Sequence, residues 1–398
     1  MLNAPMVGLS EPPQRSITLA ERRRPGRRLF NSPALIELLR HPAAAPLDIE
    51  PGDEVDRPAP PREPVQPDER HFAITNFDTL HPRPGDPRGV SGPVATPQQV
   101  VQVAVARAER YCRDDRYRLE WAALLATEVN KIRGFIAGED YPTTPPTGAS
   151  INALIANLVV HSGFLRRLCL ISGRDGTPQA NRAVADAIGS LASWTRLPGE
   201  FSYWSELRPL CASLCFYWAV AGALARHDLA TVRMFMHTRT TRTGGEEALI
   251  SALPLLALGS IEWKVLKGLE ERRFPASDFL FGLLRTEVAE AALDPGEAAE
   301  DLCDRLELLI SLEFSHRRLE QIAASHRPLW FWTPLGRYVC NLGDRLLDRL
   351  AALQQLPHND ALLQAGLLGG TQQTAADAAR AMRKSLDTCH HTHASGAV

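Results

Sequence analysis

Glu313 and His316 stand in the segment EFSH. Glu-x-x-His on a helix brings a carboxylate and an imidazole to one face, the spacing used in di-iron bundles. Such a centre needs a second Glu-x-x-His pair and two further glutamates from facing helices. The chain holds no second copy, so the segment predicts a polar pair at a helix seam in preference to a metal centre. The run CHHTH (Cys389, His390, His391 and His393) gathers soft and borderline ligands suited to Zn²⁺ or Ni²⁺. Its C-terminal place favours adventitious binding over a structural site, and no metal is assigned. Arg337, in WTPLGRY, lies between Gly336 and Tyr338 and near Trp330, Phe331 and Trp332. A guanidinium there can stack or clamp a carboxylate, and its commoner use is an internal ion pair, for example with Glu307 or Glu313.

Two basic segments have the composition of phosphate binders. One is ERRRPGRR, with Arg22, Arg23, Arg24, Arg27 and Arg28, which offers a nucleic-acid contact. The other is Arg233, Arg239 and Arg242 around TRTTRTGG, before an expected helix start at Glu246. Glu246 and Glu247 would already satisfy that first turn, so these arginines read as solvated. Cys211 and Cys215 share a helix face in apolar surroundings and read as core. With 12 histidines and 46 acidic residues, no Ser–His–Asp or Cys–His order rises above chance. The proline-rich N-terminal region has no Gly-rich phosphate loop and no nucleotide fingerprint, and no cofactor is expected.

The elements that must position these residues are helices. Residues 1–95 form a proline-rich arm: 18 of the 30 prolines fall in the first hundred residues. Proline fixes φ and removes a donor, so the arm is expected to be extended and largely disordered, with one short helix at 32–41. From Thr96 the texture changes. Thr96–Pro97 and Thr177–Pro178 are N-terminal helix signals, and Val100, Val103, Ala104, Ala108 and Tyr111 recur at helical spacing. Alternating β-branched runs are almost absent. The prediction is an all-α, multi-helix bundle over 96–356, followed by a C-terminal helix and frayed tail over 357–398.

The least polar stretch, from Arg208 to Asp228, carries no charge between Arg208 and Arg226. As a helix its uncharged run is ~25 Å long, short of a ~30 Å hydrocarbon core. It therefore reads as a helix apolar all round, wrapped by sibling helices, and a membrane partner is not expected. Small residues (Cys211, Ala212, Ala219, Ala221, Gly222, Ala223) invite close neighbours. A net charge of −2 gives no global pull toward nucleic acid or anionic lipid. Seven cysteines, an odd number without a CxxC pair, predict reduced thiols in the cytoplasm.

Four segments, Tyr203–Met236, Phe279–Val288, Asp301–Leu319 and Trp330–Tyr338, carry a resemblance in order and spacing. They are similar to the C-terminal helical region of bacterial multidomain proteins with N-terminal sirtuin-like NAD-hydrolysing or Schlafen-like ATP-binding domains. Trp204, Leu207 and Arg208 match the opening of that pattern; Gly222, Ala223, Leu224, Ala225 and Asp228 its middle. Arg305, Glu307 and Leu308 match the third block, and Trp332, Pro334, Gly336, Arg337 and Tyr338 the close. RPL stands in place of the pattern's arginine, aromatic and proline, and FSH in place of the aspartate-containing end of the third block. The resemblance covers about Ser193 to Leu342 and rests on packing motifs. It implies a helical sensing, scaffolding or oligomerising module from a defence setting, without its enzyme. The expectation is a non-enzymatic interaction or scaffold protein with a protein partner or self-association. The alternatives are an enzyme using Glu313, His316 and Arg337, and a nucleic-acid binder using the N-terminal arginines.

Overall fold

The computed structural model describes residues 97–193, 202–242, 245–253, 269, 272–291, 298–324 and 334–394. Some 80% of this region is helical, and the fold is all-α. The arm, the 32–41 helix and the N-terminal arginines lie outside the described residues.

The first half runs α1 (Pro97–Arg113), a short 3₁₀ turn (Asp115–Tyr117), α2 (Arg118–Ala137), α3 (Gly148–Asp175) and α4 (Pro178–Ala192). Local chemistry sets these limits. Thr147 and Ser150 form a capping box at the start of α3. Thr177 caps α4, with Pro178 in the first turn where a missing N–H costs nothing. On α1 the buried face is Ala104, Ala108 and Cys112, while Val103 is exposed. Ala104 and Ala108 of the expected stripe are thus buried, and Val103 is not.

Next come α5 (Ser202–Leu207), α6 (Leu210–Ala225) and α7 (Leu229–His237). Every residue of α6 is buried. It ends in a reciprocal pair of backbone bonds: His227 N–H donates to the Leu224 carbonyl and Asp228 N–H to that of Ala223, with His227 at φ 56°. Asp228 then accepts the Thr231 N–H and starts α7. Two residues thus both stop one helix and cap the next.

The seam of α3 and α6 is the centre of the core. At Gly173 an added Cβ would stand 2.1 Å from the Ala219 carbonyl oxygen, and at Gly222 2.2 Å from that of Leu170. The two backbones therefore meet through reciprocal glycines, the close approach that the small residues invite. Among the described residues two helical stretches are long and apolar enough to cross a bilayer by composition: Gly148–Asp175, mean hydropathy 1.5, and Trp204–Ala225, mean hydropathy 1.4. The second is buried whole inside the chain, as a core helix would be.

The segment Arg239–Ala248 corrects one expectation. It is an antiparallel hairpin, β1 (Arg239–Arg242) on β2 (Gly245–Ala248), with Thr241 opposite Glu246. Glu246 begins no helix, so the helix N-terminus imagined for an anion there does not exist. Thr240 donates its hydroxyl hydrogen to the Gly189 carbonyl and pins the hairpin to α4.

The second half holds α8 (Leu249–Ala252), α9 (Pro275–Ala291), α10 (Ala299–Ala324), α11 (Tyr338–Leu342), α12 (Asp344–Leu353), α13 (Ala361–Gln364) and α14 (Gln372–Ala394). Gly343, at φ 50°, separates α11 from α12. A 3₁₀ turn, Leu367–Gly370, leads into α14, which packs on α10 and α12.

Candidate functional site

Helix α10 is buried continuously from Leu302 to His316, yet this stretch carries Asp304, Arg305, Glu307, Glu313 and His316. Burying charge is expensive unless it is paired or neutralised. The structure does this in two separate clusters, and these hold the candidate residues.

The first cluster lies toward the N-terminal end of α10. Ser277 of α9 sits 2.6 and 2.7 Å from the two carboxylate oxygens of Glu307, and its hydroxyl oxygen accepts the Arg337 N–H at 2.8 Å. An added Cβ at Gly336 would fall 2.4 Å from Glu307 Oε2, so a side chain there would displace the carboxylate. The Arg337 guanidinium rests 3.4 Å from the Phe281 ring centroid and 3.8 Å from Asp304 Oδ1. Asn341 donates to both Asp304 oxygens at 3.0 Å. Burial drives Glu307 up to about 8, against the Ser277 bond, and drives Asp304 up to about 6, against Asn341 and Arg337. Burial, with Arg349 nearby, lowers Arg305 to about 10.

Arg337 therefore has the internal use expected of it, with a different partner. Its carboxylate is Asp304, in place of Glu307 or Glu313, and its described aromatic neighbour is Phe281. Trp330, Phe331 and Trp332 lie outside the described residues.

The second cluster lies nearer the C-terminal end of α10. Glu313, wholly buried, accepts the Leu368 N–H at Oε2 (2.6 Å) and meets His237 Nε2 at Oε1 (2.7 Å). Arg317 donates to His237 Nδ1 at 2.9 Å and to Glu320 at 2.7 Å, and its Nε lies 3.5 Å from Glu313. The same Arg317 nitrogen is 3.0 Å from His237 Nε2, so the imidazole lies between the guanidinium and the Glu313 carboxylate. Burial pushes Glu313 up, but the His237 bond and charge, the Leu368 N–H and His316 outweigh it and hold the carboxyl below its ordinary value. Burial lowers His316, opposed by Glu313 and Glu320. Its Nε2 is 3.4 Å from Glu320 Oε1, too long for a good hydrogen bond, and that buried nitrogen has no hydrogen-bond partner among the described residues.

Glu313 and His316 thus share one seam, while Arg337 belongs to the other. Both carboxylate oxygens of Glu313 are engaged by the protein itself. Among the described residues no group of three or more His, Cys, Asp or Glu side chains is disposed to hold a metal ion. The Cys389–His393 run falls in the last turns of α14, where side chains lie outside the described residues. Arg239 pairs with Glu246 across the hairpin at 4.0 Å, both well exposed, and Arg233 lies against Gly366.

A third, partly buried group joins α9 to the central seam. Glu287 accepts from Arg166 (2.9 Å) and from the Trp218 indole N–H (2.6 Å), and Arg166 stacks over Trp218 at 4.8 Å. Cys112, Cys169, Cys211, Cys215 and Cys303 are buried free thiols, and Cys340 is exposed. Burial raises Cys112 to about 12 and lifts Cys211, Cys215 and Cys303 further. They are core residues with little thiolate, as their apolar neighbours predict.

Sequence reasoning missed His237, Arg317, Ser277 and Asp304. His237 is the last residue of α7 and meets Glu313 from 76 positions away, which no local spacing announces. Asp304 and Glu307 did leave a signal: charges on several faces of a helix whose apolar residues also occupy every face. Compared with protein-family models, curated proteins and solved structures, the chain shows no match.

Proposed function

We propose that this chain is a non-enzymatic helical interaction or scaffold protein of the cytoplasm. On this reading it is a sensing or regulatory partner in a bacterial defence or conflict system, working with a catalytic protein encoded separately. The observation that carries the reading is the fate of the candidate catalytic trio. Glu313 and His316 are closed into one seam and Arg337 into another, each facing groups of its own chain. An acid, a base and a cation that act on a substrate must converge on one place it can enter. Buried polar clusters of this kind suit a body whose packing register is specified by charge as well as by shape. Free buried thiols fit a reducing compartment. The defence setting rests on the resemblance of residues 193–342 to helical regions of such proteins.

The test is co-expression of the full chain with the products of its neighbouring genes, read by size-exclusion chromatography with light scattering. The reading expects a discrete complex with one of them, or a defined self-assembly, retained in Glu313→Gln. A chain that stays monomeric with each, and that turns over NAD or a nucleotide at a rate lost in Glu313→Gln, overturns it.

A further inference from the structure

The Leu367–Gly370 turn is conformationally unusual. Gly366, Leu368, Gly369 and Gly370 lie at φ 76°, 52°, 79° and 69°. Leu368 is the costly one, because a branched, non-glycine residue at positive φ needs its surroundings to hold it there. The hold is visible. Its N–H is bonded at 2.6 Å by the buried Glu313 carboxylate, and its side chain is fully buried. The His316 ring lies flush against the same turn: a Cβ on Gly369 would fall 2.6 Å from His316 Cε1 and 2.9 Å from Nε2. That imidazole is 3% exposed, and the turn lies directly on it.

Beyond the turn, α14 packs on α10 and α12, and its described buried face is Ala375, Ala376, Ala378, Ala379, Met382 and Leu386, so the turn sets where this helix begins against α10.

We propose that the Leu367–Gly370 turn is a proton-sensitive latch on the C-terminal helix α14, with His316 as the group that takes up the proton when the latch opens. The charged groups around His316 are Glu313, Arg317 and Glu320 of α10 and His237 of α7, with Arg233 of α7 on the far side of Gly366. A proton on His316 in the closed latch adds a cation to a buried site beside Arg317. The open state relieves this by exposing the ring to water. The sign is set by burial. His316 is held below its ordinary 6.5 when closed and returns toward it when open. Opening therefore binds a proton, and the closed form is favoured fully above 6.5 and progressively less as pH falls toward the lowered value. Glu313, held below its ordinary 4.5, adds a second loss only at more acid pH. The inference is independent of the scaffold reading, because it concerns only how one helix of this chain is held.

The experiment is hydrogen–deuterium exchange of the full chain at about pH 7.5 and about pH 5.5, corrected for intrinsic exchange rates. The α14 amides should lose protection severalfold on acidification, with about tenfold as the limit for one proton over that interval. Amides of α6 should lose none. His316→Gln should remove the response. Glu320→Gln, a half-exposed position that tolerates the change, removes a charge that raises His316 and should bring the response closer to the limit. Equal α14 protection at both pH values overturns the proposal. So does a parallel loss in α6, a response that survives in His316→Gln, or a weaker response in Glu320→Gln.

Discussion

Replacing Gly222 by alanine sets two effects of opposite sign against each other. In an open helix interior the change is favourable, because alanine exceeds glycine in helix propensity by ~1 kcal/mol. Gly134 of α2 provides that case: an added Cβ there meets nothing within 4 Å. Gly134→Ala should therefore stabilise the chain by roughly 0.5–1 kcal/mol. At Gly222 the same methyl group would stand 2.2 Å from the Leu170 carbonyl oxygen and 2.9 Å from the Arg174 nitrogen. Both are backbone atoms of α3, so no rotamer change can clear them. Returning the first contact to 3.4 Å, the near edge of ordinary van der Waals contact, requires the helices to part by about 1.2 Å. A radial gap of ~0.5–1 Å already forfeits about a quarter to a half of each dispersion well along the seam. Overpacking costs ~1–3 kcal/mol, occasionally more, and an obstruction by backbone on both sides belongs at the upper end. After the propensity gain, a net loss of about 2 kcal/mol is expected.

The assay is urea unfolding followed by far-ultraviolet circular dichroism, with Gly222→Ala and Gly134→Ala measured beside the parent. Opposite shifts in midpoint are the expected result. A Gly222→Ala chain as stable as the parent, or shifted in the same direction as Gly134→Ala, would refute the claim that reciprocal glycines set the central seam.

The buried clusters and thiols set three further outcomes. Glu307 is raised to about 8, so its contribution to stability is complete below 4.5 and is lost as pH climbs through 8. Glu307→Gln, which keeps the neutral shape, should remove on the order of 2 kcal/mol of the stability loss between about pH 6 and about pH 8.5, measured by denaturant unfolding at each pH. Glu313→Ala leaves the Leu368 N–H, His237 and Arg317 without their shared acceptor and should destabilise by about 3 kcal/mol, with Glu313→Gln milder in the same measurement. Alkylation of the native chain, read by mass spectrometry, should modify Cys340 well before Cys112, Cys169, Cys211, Cys215 and Cys303, all of which should react only on unfolding.

The helices are legible wherever the deciding chemistry is local. Thr177–Pro178 marks the start of α4, and the uncharged run after Pro209 marks a helix with neighbours on every side. The hairpin is not legible, because Glu246 and Glu247 suit a helix's first turn as well as a strand. The deciding factor is pairing with Thr241 and Thr240 across the turn, together with the bond from Thr240 to α4. The break at Gly343 escapes for the converse reason: a glycine inside an apolar period is tolerated in many helices, and only packing shows its positive φ. The site is half legible. Glu-x-x-His places Glu313 and His316 on one face, but the partners that give them meaning, His237 and Leu368, come from distant parts of the chain. Arg337 reads as an ion-pair former, yet its acid cannot be chosen among Asp304, Glu307 and Glu313 without knowing where the loop crosses α10.

The two clusters of α10 respond to acid in opposite directions, and this separates global from local stability. Asp304 and Glu307 have folded pKa values above their ordinary ones, so the folded core gains stability as pH falls from 8 toward 6. His316 has a folded value below its ordinary one, so its cluster loses stability once pH falls below 6.5. A single helix therefore tightens at its N-terminal half while the turn over its C-terminal half loosens. Uniform acid destabilisation would move α6 and α14 together, and global tightening alone would protect both. Only loss in α14 with constancy or gain in α6 matches two buried sites whose ionisable groups were desolvated with opposite charge.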